Sequence, residues 1–105
     1  MIPLRIVFMG TPDFSVPTLE ALIEGPHDIV GVYCQPDKAK GRGKQVQAPP
    51  VKVCALAHDL SVYQPITLKD PEVQAQLEDL KPDLVVVVAY GKILPPWLIA
   101  LPQYG

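Results

Sequence analysis

Four cations crowd into seven residues: Lys38, Lys40, Arg42 and Lys44, in the run Asp37-Lys38-Ala39-Lys40-Gly41-Arg42-Gly43-Lys44. Lys and Arg at this density suit a phosphate backbone, because such contacts give affinity without base readout and weaken with salt. Gly41 and Gly43 leave the backbone free to bend toward a ligand. No aromatic side chain lies inside the run to stack a base. The run is not a P-loop, since the Gly-x-x-x-x-Gly-Lys-Ser/Thr pattern is missing and Gln45 follows Lys44. A solvated, flexible loop is the plain alternative.

Two further segments have the makings of a site. Tyr90-Gly91-Lys92-Ile93-Leu94-Pro95 follows the unbroken apolar run Leu84 to Ala89. Gly91 would let a ligand approach the backbone, and free N–H and C=O groups past a strand end could pair with a planar heterocycle. An ordinary strand-to-helix turn remains open. Gly10-Thr11-Pro12-Asp13-Phe14 follows the first apolar run. It is no dinucleotide fingerprint, which needs several glycines so that backbone N–H groups reach a pyrophosphate; here there is one glycine, and Pro12 lacks the donor. The second strand ends on Tyr33, Cys34 and Gln35, with no acid to hold a ribose. A plain turn with Asp13 or Ser15 capping a helix accounts for most of this segment, although a substrate other than a phosphate could meet Thr11 to Phe14.

Other chemistry is thin. His27 sits in a Gly-Pro-His-Asp turn and His58 near a helix end, both read as structural or solvated. No metal-ligand cluster is visible. Cys34 and Cys54 form no Cys-x-x-Cys and read as two free thiols in a reducing cytosol.

The elements that must position these segments follow from periodicity. Arg5 to Met9 reads as a buried strand. Val16, Leu19, Leu22 and Ile23 give a helix over about 15–24, stopped by Gly25-Pro26. Ile29 to Tyr33 is a second strand, and Gln35 to Pro50 then reads as about fifteen residues of loop, longer than usual. Pro50 opens a helix to about Asp59 with Val51, Cys54, Ala55 and His58 on one face. Ser61 to Gln64 is a third strand. Asp70-Pro71-Glu72 is a helix start, with Asp as cap, Pro at the first position and an acid in the first turn. Val73, Leu77 and Leu80 form its buried stripe, and Pro82 ends it. Leu84 to Ala89, apolar throughout, is a fourth strand expected to be buried on both faces of a parallel sheet. Pro95-Pro96 introduces a last helix, Trp97 to Leu101.

Alternating strands and helices predict an α/β, Rossmann-like three-layer sandwich with a mostly parallel sheet in the order 3-2-1-4. The 105 residues leave room for one domain. With 49% hydrophobic and 19% charged residues the chain reads as globular, and its 13 prolines, well above a usual share of about 5%, punctuate the apolar runs. The net charge of −2 gives no global case for nucleic-acid binding, so the basic run is a local feature. The apolar start lacks the length and cleavage site of a signal peptide, and a cytoplasmic, membrane-free protein is expected.

The quoted segments also resemble a known family. RIVFMGTPDFSVPTLEAL, VGVYCQPDKAKGRGK, APPVK and LVVVVAYGKILP, in this order from Leu4 to Gly105, look like the methionyl-tRNA formyltransferases, with the QPD and GRGK stretch the most specific part. The resemblance implies transfer of a formyl group from 10-formyltetrahydrofolate to the α-amino group of methionyl initiator tRNA, without a metal and without DNA. It implies that Lys38, Lys40, Arg42 and Lys44 engage the tRNA acceptor arm, Arg42 foremost. It also implies that Tyr90, Gly91, Lys92, Ile93, Leu94 and Pro95 line the folate pocket, with backbone groups of Lys92 and Leu94 facing the pterin. Gly10, Thr11, Pro12, Asp13 and Phe14 fall where acceptor-substrate loops lie in this superfamily. Residues 1–105 would then be the amino-terminal part of a catalytic domain. The family's catalytic Asn, His and Asp fall after Gly105, as does its RNA-binding domain, so no catalytic residue is assigned here. The full-length enzyme is expected to be a monomer and the 105 residues alone inactive and poorly soluble, because Leu84 to Ala89 would become a sheet edge. A non-enzymatic RNA-binding module on residues 38–44, or a sibling formyltransferase acting on a sugar amine, are the alternatives.

Overall fold

In a computed structural model, which describes residues 3–40, 45–92 and 94–102, the first strand, β1 (Arg5–Gly10), lies at the centre of the sheet and is buried from Ile6 to its end. It pairs in parallel with β2 (Asp28–Tyr33) on one side, with Phe8 opposite Val32. Two short strands follow, β3 (Lys38–Lys40) and β4 (Gln45–Gln47), outside this sheet. β5 (Val62–Tyr63) extends the sheet beyond β2, and β6 (Leu84–Val88) closes the other side of β1 with Gly10 opposite Val88. The order is β5-β2-β1-β6, all parallel. Counting only these four strands, that is the expected 3-2-1-4.

Parallel strands need helices on both faces, because each crossover lays one there. Alternation along β1 feeds both faces. Phe8 points into a cluster with Leu19, Val32, Cys34, Val51 and Ala55, under α1 (Val16–Glu24) and α2 (Pro50–Ala57). Val7 and Met9 point into the other, with Tyr33, Leu68, Leu77, Tyr90 and Leu98, under α3 (Pro71–Leu80) and α4 (Pro96–Ala100). The result is three layers.

Local chemistry sets the helix ends. Pro17 lies in the first turn of α1, where no N–H partner is needed. Asp70 caps α3 by accepting the Glu72 N–H at 2.9 Å, and Lys81 leaves that helix with φ +48° before Pro82. The Arg5 guanidinium then donates twice to the Leu80 carbonyl, at 2.9 and 2.7 Å, while the Asp83 carboxylate accepts the Arg5 N–H at 2.9 Å. These bonds tie the entrance of β1 to the connection from α3 to β6. His27 is structural, as its Nδ1 accepts the Leu4 N–H at 2.8 Å.

Three expectations are corrected. Residues 35–50 contain a hairpin, β3 against β4, with Lys38 opposite Gln47 and Ala39 opposite Val46. Lys-Ala-Lys and Gln-Val-Gln alternate with period two around a glycine-bearing link, a signal masked by the scarcity of apolar residues. β6 is not buried on both faces: every residue keeps some exposure and Val87 is 40% exposed, because no strand pairs with its outer edge among the described residues. His58 does not join the buried face of α2, since the helix stops at Ala57 and His58 lies exposed beyond it. Cys34 and Cys54 are free, as expected. No described helix is long and apolar enough to cross a membrane.

Leu77 is fully buried and links α3 to the sheet. Leu77→Ala is expected to lower the stability by about 2–5 kcal/mol, the usual loss for such a truncation, read by urea denaturation. A loss below that range would mean that this layer is loosely packed.

Candidate functional site

Three connections leave the carboxyl ends of β1, β2 and β6 at one edge of the sheet, the place where open α/β sheets bind ligands. Thr11, just past β1, joins them. Its hydroxyl donates to the Tyr90 carbonyl beyond β6 at 2.8 Å and accepts the Gln35 N–H beyond β2 at 3.3 Å. Its own carbonyl accepts the Val51 N–H at the start of α2, at 3.4 Å. The fully buried Ser15 hydroxyl donates to the Val88 carbonyl at 2.7 Å. Both hydroxyls therefore serve the end of β6. No side chain caps α1 or the 3-10 turn Asp13–Ser15 before it, so the capping expected of Asp13 or Ser15 does not occur.

The rest of this first loop divides by exposure. Gly10 is buried, and a Cβ there would stand 2.8 Å from the Val88 carbonyl oxygen and from the Phe8 ring. Pro12 is half-buried, Asp13 exposed, and Phe14 presents its ring to solvent at 64% exposure.

The turn after β6 is shaped by two left-handed residues, Ala89 at φ +51° and Gly91 at φ +96°. A Cβ on Gly91 would approach the Gln35 carboxamide nitrogen to 2.7 Å, so the glycine answers both to its own backbone and to Gln35. Tyr90 turns its ring into the core at 1% exposure, and burial pushes its phenol up to about 12. The Tyr90 hydroxyl has no hydrogen-bond partner among the described residues. Its backbone carbonyl is what remains at the sheet edge. The Lys92 ammonium donates to the Ile66 carbonyl at 2.5 Å. Lys92, Leu94 and Pro95 border a cleft of about 440 Å³ completed by Ile66, Thr67, Leu68, Lys69 and Pro96. Apolar walls with a few polar groups at this volume suit a small organic ligand. Ile93 lies outside the described residues.

The basic segment rises from the same edge on the β3–β4 hairpin. Lys38 is exposed and lines a smaller hollow of about 210 Å³ together with Thr11, Pro12, Gln35, Pro36, Gln47, Ala48, Pro49 and Pro50. Lys40 lies in β3, whereas Arg42 and Lys44 lie outside the described residues. At the hairpin's root the Asp37 carboxylate accepts the Gln64 amide at 2.6 Å and the Lys52 ammonium at 3.1 Å. Both partners, Gln64 first, hold the carboxyl below its usual range. Its contribution to the root is complete above the ordinary carboxylate range and is lost only as pH falls through the lowered value.

The structure thus brings the first loop and the turn after β6 into direct contact, with Lys38 beside the first loop. Among the described residues no group of His, Cys, Asp and Glu can hold a metal. Cys34 is fully buried, and burial pushes its thiol up to about 11, the setting of a structural cysteine. Gln35, Asp37 and Lys52 enter the sequence reading within the QPD and APPVK stretches, without these partners, and Gln64 only as the end of a strand. Isolated polar residues beside strand ends carry no periodic signal, and their partners are distant along the chain.

Thr11→Val deletes both hydroxyl bonds and leaves the Tyr90 carbonyl unpaired. It is expected to destabilise the protein by about 1–3 kcal/mol in urea denaturation, with Thr11→Ser close to wild type. A loss in Thr11→Ser with none in Thr11→Val would show that the methyl group, not the hydroxyl, matters.

Known proteins resemble this chain along nearly its whole length. The methionyl-tRNA formyltransferase of Hydrogenovibrio crunogenus is 57% identical over 98% of this chain, and that of Alkaliphilus oremlandii 55% identical over 97%. The corresponding protein of Pseudomonas syringae pv. tomato is 56% identical over 98%. The chain spans 33% of the length of each of these relatives. Among solved structures, the phosphoribosylglycinamide formyltransferase of Bacillus halodurans superposes with a TM-score of 0.62 at 16% identity, over 92% of this chain and 50% of that one. That likeness shows the shared fold. A formyl transferase family model matches residues 4–105, and the chain belongs to the formyl transferase family.

Proposed function

We propose that these residues are the amino-terminal part of the catalytic domain of a cytoplasmic, monomeric enzyme that moves a formyl group from 10-formyltetrahydrofolate to the α-amino group of methionyl initiator tRNA, for translation initiation. The names of the relatives support the acceptor, and the family supports a formyl donor. The observation that carries the reading is the junction at Thr11, which sets the turn after β6 against the loop after β1 and beside the root of the basic hairpin.

On this reading Tyr90, Gly91, Lys92, Ile93, Leu94 and Pro95 hold the folate. The 440 Å³ cleft beside them suits a flat heterocycle with an aromatic tail, because its walls are mainly apolar with a few polar groups. The folate, when bound, supplies the formyl carbon. Gly10, Thr11, Pro12, Asp13 and Phe14 face the aminoacyl end of the tRNA, and the exposed Phe14 ring and half-buried Pro12 suit an ester more than a phosphate. Lys38, Lys40, Arg42 and Lys44 grip the acceptor arm through phosphates. No metal and no DNA enter. The transfer needs a neutral amine, a stabilised tetrahedral oxyanion and a proton for the folate nitrogen. The family's Asn, His and Asp for these tasks are assigned to residues beyond these 105, and the chain alone carries no transfer activity.

The test incubates the full-length protein with 10-formyltetrahydrofolate and methionyl initiator tRNA and measures formylmethionine released from the tRNA. Formylation is expected. A protein that formylates a sugar amine and leaves the tRNA untouched would overturn the assignment. Arg42→Ala is expected to raise the KM for tRNA, to reduce the salt slope of tRNA binding by about 1, and to leave folate affinity unchanged. Equal use of tRNA by the variant would remove the role given to the hairpin.

A further inference from the structure

Gln64 follows the outermost strand, β5, and belongs to none of the segments assigned to a ligand above, yet its side chain enters the network that joins them. Its amide nitrogen carries two protons, and each has a partner. One goes to the Gln35 carbonyl at 3.1 Å and the other to the Asp37 carboxylate at 2.6 Å. Asp37 is the residue before β3, so it is the root of the basic hairpin. Gln35 donates its N–H to the Thr11 hydroxyl, which donates to the Tyr90 carbonyl. The Gln35 side chain packs against Gly91 of the same turn. An unbroken series of polar contacts therefore runs from the hairpin root, through Gln64, Gln35 and Thr11, to the turn after β6.

Magnitudes single out Gln64 within this series. The Lys52–Asp37 ion pair leaves 22% and 31% of its two side chains exposed, and pairs of that kind hold little. The Gln64 bond to the same carboxylate is shorter and charge-assisted, and it is made by a nitrogen already fixed on the Gln35 backbone. Removing Lys52 would leave the root attached to the sheet. Removing the Gln64 amide would leave the Lys52 pair as the one side-chain bond of Asp37 among the described residues, beside the chain itself.

We infer that Gln64 is a positioning residue: it fixes the root of the basic hairpin relative to the turn after β6, so that RNA binding on the hairpin and folate binding at the turn strengthen one another. The inference rests on the proposed function for its two ligands. Gln64 touches neither of them. Coupling between two sites is reciprocal, so tRNA tightens folate by the same factor as folate tightens tRNA.

The experiment uses the full-length protein, with 5-formyltetrahydrofolate as a folate that does not donate its group and uncharged initiator tRNA as the RNA. The folate Kd is measured with and without saturating tRNA, and the tRNA Kd with and without saturating folate. The wild type is expected to show a common factor of at least about fivefold. Gln64→Met keeps the length of the side chain and removes both donors. It is expected to bring the factor below about twofold, with each ligand's Kd measured alone within about twofold of wild type and an unchanged far-ultraviolet spectrum. Asp37→Ala cuts the same link from the other side and is expected to do likewise, so that a Gln64 variant that fails to fold leaves the outcome readable. Lys52→Met is expected to retain the wild-type factor. A wild-type factor of one, or a wild-type factor retained in Asp37→Ala or in folded Gln64→Met, overturns the inference while the proposed function stands. Failure of the wild type to bind either ligand overturns the proposed function, and the inference with it.

Discussion

The Thr11 hydroxyl makes two bonds at once, and the carboxyl edge of the sheet is organised around them. As donor it satisfies the Tyr90 carbonyl, and as acceptor it takes the Gln35 N–H. The residues on either side of Thr11 are constrained by the same edge. Gly10 has no room for a Cβ beside Val88, and Ser15 spends its hydroxyl on the Val88 carbonyl. A backbone carbonyl leaving the end of a parallel strand has lost its ladder partner, and burying it unpaired is costly. The two hydroxyls meet that requirement from the loop after β1. The loop after β1 is consequently held against the turn after β6, where the two left-handed residues Ala89 and Gly91 reverse the chain.

The sheet below makes this junction rigid. β1 is flanked on both sides, and its alternating side chains, Phe8 one way, Val7 and Met9 the other, enter two separate buried clusters. The same central strand therefore anchors all four helices. Rigidity falls off toward the edges. β5 is two residues long, and β6 exposes Val87. The basic hairpin lies outside the sheet altogether and joins it through Asp37, Lys52 and Gln64. The junction at Thr11 thus rests on a stiff centre, whereas the hairpin strands are held at their root by a few side-chain bonds.

Local and periodic signals in the sequence carry much of the fold. The Asp70-Pro71-Glu72 start of α3 is written in three adjacent residues, and its cap forms as expected. The four sheet strands and their order follow from apolar runs separated by helical patterns. Contacts between remote partners leave no such signal. Ser15 and Asp13 look like caps because capping is the local use of such residues, whereas the actual acceptor of Ser15 is 73 positions away and that of Thr11 is 79. The burial of β6 could not be read from its composition, because exposure depends on what lies beside the strand. The hairpin was hidden by its polarity, with Ala39 and Val46 its only apolar pair. Of the candidate site, the three connections at the sheet edge are legible in the sequence as segments, and their mutual contacts are not.

The central claim is that the turn after β6 and the basic hairpin bind different ligands at one edge of one sheet. Hydrogen exchange of backbone amides in the full-length protein, read by mass spectrometry with each ligand added separately, tests it most directly. The account predicts that a folate slows exchange in residues 90–95, and that initiator tRNA slows exchange in residues 38–47. Protection by folate around residues 62–76, with 90–95 unchanged, would place the ligand at the β5 edge and contradict the account.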